Sequence, residues 1–317
     1  MSITPIINNN NISLILILVC KEGYLDIVKI LVEIYKANVN GPDENGITSL
    51  MMASRYGHFE IVAFLIENGA DVNAISKKNI PYKVDWDTEK MTALILASKY
   101  NHQKIAQLLI ENDANIDAIG WNGTALVYAI EYNRTEIAKL LIEKGEKINV
   151  PEYYKSRMMN GACACGYLEI VELLFAKGVD INCVCDYTLT PLIRASRYGH
   201  LEVVQFLVEK GANVNAAMND GRTALMWASI CGRLEIFEFL VKNGANINAT
   251  TTNLSFLGPT ALTYARQFHE DSIINENRLK IVKFITDREK KTVTNNFWDC
   301  IKRNMPFSSY TRIPKDE

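Results

Sequence analysis

The side chains of this sequence that could carry chemistry are its seven cysteines and four histidines. Two Cys-x-Cys pairs, Cys163 with Cys165 and Cys183 with Cys185, have the composition of a four-thiolate zinc site. Residues two apart on a helix point about 200° apart, however, so Cys163 and Cys165 cannot easily share one ion. The position of Cys163 also recurs along the chain as a small residue, namely Ser54, Ser98, Ser196 and Ser229. We therefore expect packing cysteines, with no metal and no cofactor.

The histidines give no catalytic pattern either. His58, His102 and His200 fall at one recurring position, which indicates a structural role, and His269 has no evident partner. No Cys or Ser is paired with a base that could activate it, and no glycine-rich phosphate loop follows a strand. The sequence predicts no catalytic residue and a protein that is not an enzyme. An enzyme with a minimal cysteine-containing site is the least favoured alternative.

Composition sets limits on partners and compartment. The chain has 317 residues, 48% of them hydrophobic and 22% charged, and a net charge of −2, so nothing steers it toward nucleic acid. The apolar run at residues 12–20 is too short for a membrane span of about 20 residues, and its basic neighbour Lys21 follows it, unlike in a signal peptide. An odd number of scattered cysteines favours a reducing, cytoplasmic location, with secretion into a host cell as an alternative.

The organisation of the chain is repetitive. Residues 190–216 (TPLIRASRYGHLEVVQFLVEKGANVNA) match residues 223–249 (TALMWASICGRLEIFEFLVKNGANINA) in a common frame. The same frame begins near residues 14, 48, 92, 124, 157, 190, 223 and 260, with a period near 33. A fixed period of this length indicates stacked supersecondary units.

Each recurring residue has a physical reason. An opening Thr can cap a first helix, and Pro191 suits the first helical turn. Five residues on lies an Ala column that lets helices approach closely. A Gly or Asn then ends the helix in the left-handed conformation, and a second helix follows with one apolar side. The columns are Ala53, Ala97, Ala129, Ala162, Ala195, Ala228 and Ala265, and Gly23, Gly57, Asn101, Asn133, Gly166, Gly199 and Gly232.

These residues closely resemble the ankyrin-repeat family, over about eight repeats. The resemblance implies an all-α solenoid of stacked antiparallel helix pairs with projecting β-hairpin fingers and a concave binding face. We expect an N-terminal cap segment at residues 1–13, the repeat array at 14–287, and a C-terminal capping helix and tail at 288–317. The histidine of the family's T-P-L-H opening is absent. Its place is taken by Met51, Ile95, Val127, Ile193, Met226 and Thr263, where apolar packing must substitute for it.

The array is irregular in three places. An insertion at residues 75–91 carries Tyr82 and Trp86 and forms either a longer binding finger or a lid. The repeat from Arg157 lacks a capping Thr and places Gly161 inside its first helix, which predicts the softest repeat and a notch on the concave side. The tail beyond residue 287 either caps the last helix pair or recruits other proteins.

The first helices predict the binding surface. Residues four and eight after each opening share one side of the helix, and they are rich in Tyr, Trp and neighbouring Arg or Lys, the types that dominate protein interfaces. We expect a monomeric scaffold that binds a protein partner through this face and the fingers, or alternatively a host-directed effector or adaptor that uses its tail. The other interpretation is that the tyrosines only pack beneath the fingers. The candidate residues are Arg55, Tyr56, Tyr82, Trp86, Lys99, Tyr100, Trp121, Tyr128, Tyr132, Arg194, Arg197, Tyr198 and Trp227.

Overall fold

The structure is a computed structural model that describes residues 9–77, 90–145, 148–185, 189–252, 259–266 and 276–288. The chain divides into two compact units, residues 1–186 and 187–317, which we describe one at a time. In both units the described residues form helices joined by short turns, and the antiparallel bridge between Ala217 and Thr223 lies outside any strand.

The first compact unit consists of successive helix pairs. First helices contact first helices and second helices contact second helices, which is the stacking that the period predicts. α2 continues directly into a π-helical turn at Ile30–Ile34. The helices are α1 (Asn9–Glu22), α2 (Leu25–Lys29), α3 (Ser49–Tyr56), α4 (Phe59–Glu67), α5 (Ala93–Lys99), α6 (Gln103–Glu111), α7 (Ala125–Glu131), α8 (Thr135–Lys144), α9 (Glu152–Cys165) and α10 (Leu168–Ala176).

The second compact unit repeats the same arrangement. The first helix of each of its repeats contacts that of the next, and the first helices of its first two repeats contact their own second helices. Its helices are α11 (Pro191–Tyr198), α12 (Leu201–Glu209), α13 (Ala224–Ile230), α14 (Leu234–Lys242), α15 (Ala261–Ala265) and α16 (276–288). The predicted all-α class with stacked helix pairs is confirmed in each unit.

The opening threonines cap the first helices as predicted. In six repeats the Thr Oγ1 accepts a hydrogen bond from the backbone N–H three residues on, at 3.2–3.4 Å. A cap of this kind stabilises a helix by about 1 kcal/mol. The six residues are Thr48, Thr92, Thr124, Thr190, Thr223 and Thr260.

Two first helices without a capping threonine begin earlier than the repeat frame indicates. α1 begins at Asn9, so the predicted boundary at residue 13 falls inside this helix. α9 begins at Glu152, ahead of the expected opening at Arg157, and Pro151 precedes it without a side-chain cap. The acidic Glu152 in the first turn favours a helix start at this point because the helix N-terminus carries partial positive charge.

The helix-ending residues have the predicted backbone conformation. Gly57 and Gly199 have φ of +84° and +92°, and Asn101 and Asn133, which replace Gly in their repeats, have φ of +69° and +59°. The exchange of Gly for Asn therefore preserves a left-handed turn between the two helices of each pair. Gly145 also follows a helix, α8, but its φ is −74° and its backbone is extended, not left-handed.

Small and apolar residues fill the columns between neighbouring pairs. The Ala column is buried in every repeat. The position of the family's missing histidine holds Met51, Ile95, Val127, Ile193 and Met226, each at most 1% exposed. Apolar packing therefore replaces the histidine in these five repeats, as the sequence indicates. Thr263, at the same position of the last repeat, is exposed instead, and its Oγ1 accepts a hydrogen bond from the Thr260 N–H at 3.3 Å.

Gly161 does not open the predicted notch. A Cβ atom added there would lie 3.1 Å from Ile130 Cγ2 of α7. The missing side chain lets α9 approach α7, so the predicted notch is wrong. The sequence alone could not show this, because the distance between the two helices depends on how the neighbouring repeats stack.

The fingers are tight turns in the described residues rather than strand ladders. In one finger the Gly120 N–H donates to the Gly123 carbonyl at 2.8 Å, and in another the Met218 N–H donates to the Arg222 carbonyl at 2.9 Å. These hydrogen bonds close each turn, and the second turn has a further one, from the Gly221 N–H to the Met218 carbonyl at 2.9 Å. In the described residues the predicted β-hairpin fingers are therefore turns without strands.

Candidate protein-interaction surface

The face predicted as one aromatic stripe contains two layers in the structure. At the eighth position after the opening, Tyr56, Tyr132 and Tyr198 are exposed. At the fourth position, Tyr128 and Trp227 are only 3% and 8% exposed. The tyrosine of the outer layer can contact a partner, whereas the inner layer supports it from below.

Cations and aromatic rings alternate along this face in the first compact unit. The Arg55 guanidinium lies 5.5 Å from the Tyr56 ring centre and 5.3 Å from that of Tyr100. Lys99 Nζ lies 5.6 Å from the Tyr100 ring centre and 5.1 Å from that of Tyr132. Each such contact stabilises the rings by about 0.5–1 kcal/mol where it is exposed. Each cation thereby connects rings of adjacent repeats.

Lys99 is part of this support and not of the outer surface. It was predicted to contact a partner, yet it is 5% exposed, and its Nζ also lies 5.7 Å from the buried Tyr128 ring. The Tyr128 and Tyr132 rings are stacked at 6.2 Å. Lys99 therefore holds Tyr132 in place from beneath.

The second compact unit has its own aromatic cluster around Trp227. The guanidinium of Arg197 lies 4.4 Å and that of Arg222 4.6 Å from the Trp227 ring centre. The indole N–H of Trp227 donates to Met218 Sδ at 3.3 Å. Trp227 is thus held between two arginines as a support, while Arg197 also lies 5.5 Å from the exposed Tyr198 ring.

Arg222 is fixed by an ion pair with Asp220. Its NH2 lies 2.5 Å from Asp220 Oδ2, and its backbone N–H donates to Asp220 Oδ1 at 3.0 Å. Burial raises the pKa of Asp220, but the hydrogen bonds from Arg222 outweigh burial and hold that pKa below its ordinary value. Arg194, also predicted as a contact residue, is half-buried on the same first helix as Tyr198.

Trp121 is the most exposed aromatic residue among the described candidates. Its side chain is 56% exposed at the tip of the finger before α7, beside the exposed Ile119. The turn beneath it is closed by the hydrogen bond between Gly120 and Gly123. The next backbone N–H, that of Asn122, donates to the Tyr128 hydroxyl at 3.2 Å. A large apolar ring is therefore presented to solvent by a fixed turn.

Arg157, which belongs to the following repeat, is hydrogen-bonded to the same finger. Its NH1 donates to the Asn122 carbonyl at 2.6 Å, and its NH2 pairs with the Glu131 carboxylate. Asn122 Nδ2 donates to the other oxygen of Glu131 at 3.4 Å. Sequence reasoning missed this role of Arg157. The available signal was an arginine at the opening position where other repeats have threonine.

The recurring histidines connect adjacent repeats, which confirms their structural interpretation. His58 Nε2 is hydrogen-bonded to the Lys21 carbonyl and His102 Nε2 to the Arg55 carbonyl, both at 2.9 Å. Arg134, at the same position in its repeat, donates from Nε to the Lys99 carbonyl at 3.2 Å. These side chains satisfy carbonyls at the end of the preceding first helix, which have no partner within that helix.

Asparagines at the base of the fingers make a second set of bridges. Asn73 Nδ2 donates to the Asp113 carbonyl at 3.0 Å, and Asn73 Oδ1 accepts from the Asn115 N–H at 2.7 Å. Asn40 and Asn215 make the corresponding pairs with their own following repeats. The turn itself is made by the residue two before each asparagine, whose side-chain oxygen accepts from the asparagine N–H, and the asparagine side chain joins two repeats.

Comparison with protein families assigns this architecture. The family model for ankyrin repeats, which covers three copies, matches residues 4–76, 74–152 and 159–251. The chain belongs to the ankyrin-repeat family. Ankyrin repeats are typical protein-interaction modules, so a role in protein binding follows from the family at this general level.

Relatives of this ankyrin-repeat chain are similar over short segments. It is 47% identical over 60 residues to palmitoyltransferase akr1 of Schizosaccharomyces pombe, covering 19% of this chain and 9% of that protein. It is 43% identical over 58 residues to alpha-latrocrustotoxin-Lt1a of Latrodectus tredecimguttatus, covering 18% and 4%. It is 38% identical over 52 residues to the serine/threonine-protein kinase TNNI3K of Mus musculus, covering 16% and 6%. The chain thus matches less than a tenth of each of these proteins.

Cysteines of the ankyrin-repeat chain that occupy a recurring position of the repeat are packed in its interior. Cys163 and Cys183 are buried and not disulfide-bonded, and burial raises the pKa of the Cys183 thiol to about 12. Asn160 Nδ2 lies 3.9 Å from Cys183 Sγ. Within the described ranges, no group of three or more His, Cys, Asp or Glu side chains is placed to hold a metal ion.

Some predicted features fall outside the described part of this ankyrin-repeat chain. Tyr82 and Trp86 of the insertion lie there, as does the tail beyond residue 288. Within the described part, no helix combines the length and the apolar character that a membrane crossing requires.

Proposed function

We propose that this protein is an interaction scaffold that binds a partner protein with the Trp121 finger and the adjacent Tyr132. The observation that carries the proposal is the exposure of the Trp121 side chain, 56%, on a turn fixed by Tyr128 and Arg157. Trp, Tyr and Arg dominate the binding energy of protein interfaces. A fixed turn also lowers the entropy that the finger loses when a partner binds.

The two side chains belong to one site. Asn122, which follows Trp121, is hydrogen-bonded to Glu131, which precedes Tyr132. Tyr132 is 44% exposed and rests on Lys99 and Tyr128. A partner that contacts the finger tip can therefore reach the outer tyrosine as well.

A standard interface buries about 800 Å² on each partner, so Trp121 and Tyr132 form its centre and not its whole extent. Tyr56 and Tyr100, on the same face of the first compact unit, extend the surface. Arg55 lies against both rings and gives this part of the surface positive charge. The proposed partner is a protein, and the proposed role involves no catalysed reaction, cofactor or nucleic acid.

We place the protein in a reducing compartment as part of the same proposal. The six described cysteines carry no disulfide, and Cys20, Cys163 and Cys183 are buried. Burial raises the pKa of Cys20 to about 12, which keeps its thiol protonated and unreactive.

The test is affinity capture from a lysate followed by mass spectrometry. The full-length wild type is compared with the Trp121→Ala/Tyr132→Ala variant and with the control Val184→Ala, which truncates an exposed side chain elsewhere. We expect a set of proteins captured by the wild type and the control but lost from the double variant. Equal capture by all three proteins, each folded by circular dichroism, would contradict the proposed site.

A further inference from the structure

The first helix pair leaves a large apolar surface in solvent. Three large side chains of α1 are exposed. Five more follow: Tyr24 just before α2, three isoleucines on α2 and its π-helical continuation, and Tyr35 just after it. We call these eight residues the end face: Leu14, Ile15, Leu18, Tyr24, Ile27, Ile30, Ile34 and Tyr35. Soluble monomers seldom expose continuous apolar patches of this size.

The repeat register shows that two of these positions are normally covered. Ile15 is 45% exposed, whereas the equivalent residues of later repeats in the same compact unit are at most 2% exposed: Ser49, Ala93, Ala125 and Met158. Ile27 is 43% exposed, whereas its equivalents are again at most 2% exposed: Ile61, Ile105, Ile137 and Ile170. Each later repeat packs against a preceding helix pair, which the first repeat lacks among the described residues. The end face therefore has the residue pattern of an interior repeat.

The second helix of this pair has three sides that differ in burial and polarity. Val28 and Val32 are buried toward the core, and Asp26, Lys29 and Glu33 form a polar side. Ile27, Ile30 and Ile34 follow a third side at helical spacing, which is neither buried nor polar. A terminal repeat that met only water would carry polar residues on this third side.

We propose that a second copy of this chain covers the end face, so that two molecules associate through their first helix pairs. Half-exposed Leu, Ile and Tyr side chains each leave roughly 100 Å² in solvent. The eight together therefore expose about 800 Å², which is what one partner contributes to a standard interface. In a two-fold symmetric dimer each end face covers the other, so no end face remains to bind a third copy.

Charge does not oppose this pairing. Between residues 9 and 36 the chain has three lysines, Lys21, Lys29 and Lys36, and three acidic residues, Glu22, Asp26 and Glu33. When two identical surfaces meet, a strong net charge of one sign would repel, and here the net charge is zero. The proposal departs from the monomer expected from the sequence, and it concerns a different surface from the Trp121 site.

The test is the molar mass of the full-length protein by sedimentation velocity and light scattering over a range of concentrations. We expect a dimer in the wild type and a monomer in the Leu18→Glu/Ile34→Glu variant, because both substitutions place charge in the end face. Matched controls are Ile75→Glu and Leu279→Glu, whose side chains are 54% and 55% exposed and do not belong to the end face, so the dimer should stay intact.

An experiment that mixes two variants distinguishes the loss of the interface from the loss of the fold. The Leu18→Lys/Ile34→Lys variant should also be monomeric, and an equimolar mixture of the acidic and basic variants should associate again. A wild type that stays monomeric at every concentration at which it remains in solution would overturn the proposal. So would a protein that dimerises only after residues 1–8 are removed, because the chain's own first residues would then be the occupant.

Discussion

Arg157 of α9 reaches back to Asn122 in the finger of the preceding repeat, with 2.6 Å between its NH1 and the Asn122 carbonyl oxygen. The same guanidinium pairs with Glu131 at the end of α7. One side chain thus joins a finger, a first helix and the following repeat. The finger so fixed is the one that carries Trp121.

The Arg157→Ala variant should loosen this finger. Hydrogen bonds to charged groups contribute about 1.5–3 kcal/mol each at most, and Glu131 is partly solvated, so we expect a loss of about 1–3 kcal/mol in the free energy of unfolding. Amide exchange at residues 119–123 should become faster. Urea denaturation and hydrogen exchange measure the two effects. Arg266→Ala, at an exposed position, serves as the control. Unchanged exchange at the finger would show that Arg157 does not hold it.

Gly57 and Gly69 form a matched pair for testing how histidine connects the repeats. Both have positive φ, +84° and +81°, but a Cβ on Gly57 would lie 2.5 Å from the His102 ring, while a Cβ on Gly69 would meet nothing within 4 Å. Gly69→Ala should cost about 1 kcal/mol of stability from backbone strain alone. Gly57→Ala should cost about 2–4 kcal/mol, because the ring must also move.

The double variant Gly57→Ala/His102→Ala completes this test by urea denaturation. With the ring removed, the added methyl at residue 57 should cost no more than it does at Gly69. Equal costs for the two single glycine variants would refute the close contact between Gly57 and His102.

Asp117 occupies the position at which Asn73 bridges two repeats. Asn73 both donates and accepts, whereas an ionised Asp117 can only accept, here from the Asn149 backbone. Burial raises the pKa of Asp117, which means that folding disfavours its charged form. We expect Asp117→Asn to raise the free energy of unfolding by about 0.5–1.5 kcal/mol at neutral pH.

The pH dependence of this gain has a definite sign. A carboxyl whose pKa is raised in the folded state destabilises the wild type as pH rises from its unfolded pKa through the folded value. The gain of Asp117→Asn should therefore be complete at neutral pH and smaller below pH of about 4, where the wild-type carboxyl is protonated in both states. Denaturation curves at the two pH values measure it, with Asn73→Asp as the reverse control. A gain that grows toward low pH would contradict the assignment.

Local features were predictable because each depends on one residue and its own turn. The Thr48 cap and the left-handed Asn101 follow from side-chain chemistry that is independent of the neighbouring repeats. The burial of Ala53 and the structural role of His102 were predictable from their recurrence at fixed positions, although both involve contacts with an adjacent repeat. For these features the period of the sequence was sufficient.

The degree to which a side chain is buried was not predictable, because it depends on how closely adjacent repeats stack. The repeat frame places Lys99, Tyr128 and Trp227 on the predicted binding face, but all three side chains are buried. Arg157 and Asn73 act on residues of another repeat, so their partners could not be read from local sequence. The sequence named the residues of the candidate surface, and the structure separates those that support it from those that face a partner.

The most direct test of the proposed interaction site is the affinity of the captured partner for the Trp121→Ala variant, measured by titration calorimetry beside the wild type. Because Trp121 is exposed, its truncation should change the free energy of unfolding by no more than about 0.5 kcal/mol. The dissociation constant should nevertheless rise about 30-fold or more, which corresponds to a hot-spot loss of about 2 kcal/mol. An affinity within about twofold of the wild type, below 0.5 kcal/mol, would show that the finger does not bind the partner.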